Sequence, residues 1–102
     1  MLAAFAEIVM FRLAANTQGD AYLAASRASR DWYTRQPGYL SSELIAGDDG
    51  KWLGIIRWAC PEDVEAAAGR LMDEVDMSPF MNMIDPETVS MVVGHVVAAH
   101  PE

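Results

Sequence analysis

The sequence predicts an α+β fold whose elements run strand, helix, strand, strand, helix, strand, the split β-α-β order. Three observations carry that expectation. Two segments have apolar residues at helical spacing and are bounded by proline. A Gly47-Asp48-Asp49-Gly50 stretch joins two apolar runs as a hairpin signal, because Asp-Gly supplies the positive φ values that tight hairpin turns need. The remaining apolar runs carry apolar residues on both strand parities. At 102 residues the chain reads as one domain, 1–102, since halves of it would be too small to fold well.

Taken in order, Met1 to Ala6 is apolar but lacks a basic region and is interrupted by Glu7, so it reads as the lead-in to a strand rather than a signal peptide. Ala6 to Leu13 is the first strand, with Ile8, Val9, Met10 and Phe11 continuously apolar. Thr17 with Asp20 resembles an N-cap pair, since the first amides of a helix need acceptors. The helix then runs from about Gly19 to Arg35 and ends at Pro37-Gly38. Tyr39 to Ala46 and Lys51 to Ala59 are the hairpin strands. Pro61 opens the second helix, where Glu62, Asp63 and Glu65 suit the positive end of its dipole. Its apolar stripe is Val64, Ala67 or Ala68, Leu71, Met72 and Val75. Ser78-Pro79 restarts a short helix carrying Phe80, Met81, Met83 and Ile84, which could serve as a lid. Asp85-Pro86-Glu87 is a turn, Thr88 to Val97 the last strand, and Ala98 to Glu102 a fraying end.

This order implies a ferredoxin-like arrangement, a four-stranded antiparallel sheet with both helices on one face. The other face is then bare, yet the strands are apolar on that side too, as Val92 and Val96 against Val93 and Val97 illustrate. The simplest cover is the same face of a second copy, giving a homodimer with back-to-back sheets. A composition that is 52% hydrophobic in so short a chain points the same way.

The formal net charge of −8 argues against nucleic acid and anionic membrane surfaces as partners, and charge of this size also serves solubility. No apolar stretch approaches the length of a membrane span. The single cysteine, Cys60, forbids an intramolecular disulfide and fits a reducing, cytoplasmic compartment.

The first strand Ala6-Glu7-Ile8-Val9-Met10-Phe11-Arg12-Leu13 carries a family resemblance, together with Gln36-Pro37-Gly38-Tyr39, Lys51-Trp52 through Trp58, Pro61-Glu62-Asp63-Val64, Ser78-Pro79-Phe80 and Ile84-Asp85. In these pieces the chain resembles the antibiotic biosynthesis monooxygenases of the dimeric α+β barrel superfamily, over nearly its whole length. The resemblance implies two sheets packed back to back and a pocket in each subunit between sheet and helices. It also implies a cofactor-independent monooxygenase or, as the alternative, a non-catalytic ligand-binding or stress-associated barrel. Fold alone does not choose between these. The haem-degrading branch of such proteins has an asparagine in the first strand, a tryptophan ending the third and a histidine in the second helix. Trp58 matches, but Phe11 and Ala68 stand at or near the other two positions, so haem degradation loses the group that would hold iron.

Oxygenation without a cofactor needs an aromatic pocket that excludes water and a few groups to hold an anion. Trp58 and Trp52 share a parity with Gly54 and Ile56, so they point to one face, either to wall a pocket for a small aromatic ligand or to fill the core. One of Trp32 and Tyr33 should face inward, and an inward Tyr33 could offer its hydroxyl to a ligand. Phe80 and Met72 are further candidates for a ligand wall, and thioethers adapt to varied shapes. His95, the histidine inside a predicted strand, is the candidate general base, with a structural or interface role as the other reading. Two histidines and one cysteine show no ligand-like spacing, so no metal site is expected. Acids around Cys60 disfavour its thiolate. Arg12 and Arg57, in strands, are expected to pair across subunits with acids such as Glu7 or Glu43, with holding an anionic ligand as the other reading.

Overall fold

A computed structural model describes residues 4–74 and 77–101. The expected lead-in at Met1 to Ala3, the stripe residue Val75 and the terminal Glu102 lie outside them. The elements are β1 (Phe5–Phe11), α1 (Gly19–Thr34), β2 (Tyr39–Ala46), β3 (Trp52–Trp58), α2 (Pro61–Met72), α3 (Ser78–Met81) and β4 (Ser90–His95). A 3-10 turn, Pro86–Thr88, precedes β4. The strands form one antiparallel sheet in the order β2-β3-β1-β4. This is the ferredoxin-like arrangement that the element order implies. The apolar-rich β1 and β3 take its centre, each hydrogen-bonded to a neighbouring strand along both edges.

Element ends differ from expectation for local reasons. Thr17 does not cap α1: its backbone N–H is drawn into a turn with the Ala14 carbonyl (3.1 Å), entered by Asn16 at φ 71°. Gln18 takes the cap position without a side-chain hydrogen bond. The last strand starts later than Thr88, because the Thr88 hydroxyl donates to the Asp85 carbonyl (2.7 Å) and holds the chain in the turn. That same hydroxyl accepts the Arg12 N–H (2.8 Å), pinning the end of β1 to the turn. The hairpin closes through Gly47 N–H to the Lys51 carbonyl (2.7 Å), and Gly50 supplies the positive φ, 85°. Three residues, Asp48 to Gly50, thus make the loop, and a left-handed last residue suits a loop of that length.

Register fixes which residues share a face. Phe11 pairs with Trp52, and Phe5 with Trp58. Phe11 and Trp52 form one buried cluster with Tyr22 of α1. Trp58 forms another with Val64 and Ala67 of α2. The odd residues of β1 and the even residues of β3 therefore face the helices. The opposite face presents Ile8, Ile55, Leu53, Met10 and Val92 in adjacent register positions, with Ile45 beside Leu53. Among the described residues no helix covers this band, and Val92 is 58% exposed.

Arg57 lies on that far face and pairs with Glu43 at 3.3 Å, while Arg12 reaches Asp49 at 3.9 Å. Both pairs form within the chain, where the sequence had suggested pairing across subunits. The reason is register: Glu43 sits diagonal to Arg57 on the neighbouring strand. Both pairs are well exposed, so each contributes little to stability. Among the described residues, no helix is long and apolar enough to cross a membrane.

The link between α1 and β2 depends on Gly38. Its φ is 84°, its carbonyl accepts the Ala59 N–H at 2.8 Å, and a Cβ there would overlap the Asp63 side chain. Gly38→Ala should therefore destabilise the fold by about 1–3 kcal/mol in chemical denaturation, with an unchanged far-UV spectrum.

Candidate functional site

Between the sheet and the face of α1 lies a cavity of about 640 Å³. Its floor is built by alternate residues of the two central strands, Glu7, Val9 and Phe11 from β1 and Gly54 and Ile56 from β3. Tyr22, Ser29 and Tyr33 of α1 form one wall, and Phe80 and Met81 of α3 another. Phe80 is stacked on Tyr22 with ring centroids 5.3 Å apart, which fixes the short helix over the cavity. At Gly54 a Cβ would meet nothing within 4 Å, so the floor is open there.

The sequence-predicted residues fall into two groups. Tyr33 and Phe80 line the cavity. Trp58 and Trp52 face the helices as their parity requires but lie behind the cavity wall, in the two core clusters. Trp58 is wholly buried, edge-on to Tyr33 and Tyr39 at 6.3 and 6.2 Å. Of its two expected roles, Trp58 takes the packing one in the structure. Met72 ends α2 and is 77% exposed, away from the cavity. His95 ends β4, packs edge-on against Phe5 at 4.9 Å and is exposed, outside the cavity lining. Of the helix-end pair, Tyr33 reaches the cavity, while the Trp32 indole N–H donates to Glu74 at 3.3 Å. Cys60 donates its thiol to the Asp63 carboxylate at 3.1 Å. That hydrogen bond raises the thiol pKa above its ordinary value, opposite to what a nucleophile needs. Among the described residues, no group of three or more His, Cys, Asp or Glu is placed to hold a metal ion.

The polar centre of the cavity is Glu7, which the sequence offered only as a partner for an arginine. Its carboxylate accepts the Trp58 indole N–H at 3.1 Å. Burial pushes its pKa up from the ordinary 4.5, and the Trp58 hydrogen bond opposes part of that rise. The signal was present in the parity: Glu7 shares a face with Val9 and Phe11, so a helix-covered Phe11 implies a helix-covered Glu7. Beside it, the Tyr33 hydroxyl is pushed up to about 12, by burial first and then by the Glu7 charge. Tyr33 thus keeps its proton at neutral pH and remains a hydrogen-bond donor. On β2, Ser42 and Tyr39 share a hydrogen bond of 2.7 Å at the cavity edge.

The arrangement is a carboxylate poised to take a proton, next to a neutral phenol, inside a mainly apolar chamber. Solved structures with the same fold include SnoaB, a cofactor-independent oxygenase from Streptomyces nogalater. It matches at 13% identity over 98% of this chain and 99% of that one, with a TM-score of 0.80. The fold is that of SnoaB. The monooxygenase from the gene ActVA-Orf6 of Streptomyces coelicolor, solved with nanaomycin D, matches at 16% identity over 95% and 90% of the two chains, with a TM-score of 0.73. A dimeric ferredoxin-like protein from an uncultured marine organism matches at 11% identity over 98% and 93%, with a TM-score of 0.74. At such identities the likeness is one of fold. No protein-family model matches the sequence, and no curated protein matches it significantly.

Two predictions follow from the Glu7 environment. A carboxyl group with a raised folded-state pKa contributes stability that is fully present below its unfolded pKa and lost as pH rises through the folded value. Glu7→Gln removes that loss, so in urea unfolding its stability relative to the parent should rise as pH climbs above the ordinary carboxyl value of 4.5 and level off once the folded-state carboxyl is ionised. Trp58→Phe keeps most of the packing but deletes the N–H donor. The Glu7 carboxyl should then titrate at higher pH in a carbon-13 NMR titration, and an unmoved titration would show the indole contact to be electrostatically idle.

Proposed function

We propose that the chain is a cofactor-independent monooxygenase-like protein that binds a small aromatic or polyphenolic molecule in the cavity between sheet and helices. The observation that carries this is Glu7, a half-buried carboxylate of raised pKa on an apolar floor. A carboxylate made more basic by burial is better suited than an exposed one to take a proton from an acidic carbon or phenol. The neutral Tyr33 hydroxyl would donate to the oxygen on which the resulting negative charge gathers. Apolar walls keep water from competing for that anion. In such a reaction the substrate anion meets molecular oxygen, one oxygen atom becomes a new carbonyl on carbon, and the second leaves as water with the two displaced protons. The protein contributes binding, orientation and the proton transfer. The likeness in fold to SnoaB and to the nanaomycin D complex supports this choice of chemistry.

A second reading, binding without turnover, is favoured by one observation. His95 stands outside the cavity, so any proton transfer rests on the Glu7 carboxylate alone, without a histidine beside it. The working unit is proposed to be a homodimer joined through the far faces of the sheets, in support of which stand the uncovered apolar band and the dimeric neighbour. A cytoplasmic setting without nucleic-acid or membrane partners accords with the net charge of −8.

The decisive experiment is oxygen uptake with a panel of anthrone-like and reduced-quinone compounds. One oxygen molecule should be consumed per substrate, and Glu7→Gln should lower kcat by about 10²–10⁴-fold while ligand affinity is retained. Ligand binding without uptake by the parent protein would establish the second reading instead. In light scattering the chain should have the mass of a dimer, and Val92→Glu should shift it towards monomer. A parent monomer at micromolar concentration would remove the back-to-back pairing.

A further inference from the structure

The charge around the cavity is unevenly distributed. Glu43 borders it on β2, but its carboxylate is turned to Arg57 on the far face of the sheet. Glu7 lies on the floor, held by Trp58. That leaves Arg27 and Arg30, both exposed, on the α1 side of the opening. Among the described residues, no carboxylate lies within ion-pair distance of either guanidinium, and neither makes a side-chain hydrogen bond. At a spacing of three residues the two lie on one stripe of the helix, close enough to share a ligand. Two like charges side by side repel, and a chain with fifteen acids has ample means to pair them. Arg12 and Arg57 are paired, and Arg70 donates to Gln36 at 2.6 Å. Among the described residues Arg35 and Lys51 are also without an ion pair, and of these four cations Arg27 and Arg30 are the two that line the cavity.

We infer that Arg27 and Arg30 form an anion subsite, and that the natural ligand is an aromatic acid whose carboxylate sits between them. This rests on the reading of the cavity as an aromatic-ligand site and names the class of ligand. The geometry gives the ligand a polarity. Tyr33, adjoining Glu7, is six residues from Arg27 and three from Arg30 along α1, about 9 and 4.5 Å of helix rise. A fused aromatic acid would therefore place its carboxylate at the opening and its proton-releasing end over Glu7. Arginine suits the task because its planar fork matches a carboxylate in bidentate fashion. The reverse orientation would set the carboxylate against Glu7 and is disfavoured by repulsion.

The test uses anthraquinone-2-carboxylate and its methyl ester as probes, with binding followed by calorimetry on the full chain and without turnover. The acid should bind about ten- to thirtyfold more tightly than the ester, and its affinity should fall as salt is raised. In the double variant Arg27→Gln, Arg30→Gln, both at exposed positions, that order should reverse, because the remaining field of the protein repels an anion. Ester affinity should stay unchanged, which also reports an intact cavity. Equal binding of acid and ester by the parent, or an acid preference that survives in the double variant, overturns the subsite. Failure of both probes to bind removes the aromatic-ligand reading itself and the subsite with it. Ester binding with no acid preference removes the subsite alone.

Discussion

The hydrogen bond from the Trp58 indole to the Glu7 carboxylate joins the most deeply buried side chain to the floor of the cavity. Phe5 and Trp58 are directly paired across β1 and β3, so Glu7 stands one diagonal step away. The ring is held by Tyr33, Tyr39, Val64 and Ala67. Each of those contacts therefore helps to aim a carboxylate. The pairing also answers two desolvation problems at once. A buried indole N–H without an acceptor costs about 1–3 kcal/mol, and an ionised carboxylate away from water needs a donor. Core packing and site electrostatics are thus one structure here, and a change that loosens the α2 contact is felt at Glu7.

The order of elements was legible because it depends on local chemistry. Pro37-Gly38, the Gly47 to Gly50 loop and Pro61 act where they stand, and the structure turns or starts at each. The ends were less legible, because long-range bonds decide them. Thr88 is held in the turn by its hydrogen bond to the Asp85 carbonyl and pinned there by Arg12, 76 residues away. The candidate site was legible only in part. Parity places Trp52, Trp58 and Gly54 on one face, but it cannot say how deep each lies beneath the helices. That depth separates Trp58, sealed in the core, from Gly54 and Tyr33, which reach the cavity. Glu7 was hidden by its neighbours: in a strand apolar on both parities, the covered face is known only once the register with β3 and the position of α1 are known.

The two faces of the sheet divide the work. The helix face carries the aromatic clusters and the cavity, and α3 is drawn over it by the stacking of Phe80 on Tyr22. The far face carries aliphatic residues and little else, apart from the Arg57–Glu43 pair. An acidic surface keeps such a chain in solution while leaving that aliphatic band uncharged. Electrostatics and burial thereby act on different residues.

Gly54 gives the cavity a property that its other residues do not. Glycine in the middle of a strand costs about 0.5–1 kcal/mol relative to alanine, because more backbone freedom is lost on folding. Here that cost coincides with empty space, since nothing lies within 4 Å of where its Cβ would be. The position therefore works as a size gauge. Stepwise enlargement at this one residue would subtract room from the floor without disturbing Trp58 or Tyr22, trading the breadth of ligand accepted for a stiffer strand. Selection for a more stable sheet and selection for a roomier chamber pull on the same missing methyl group.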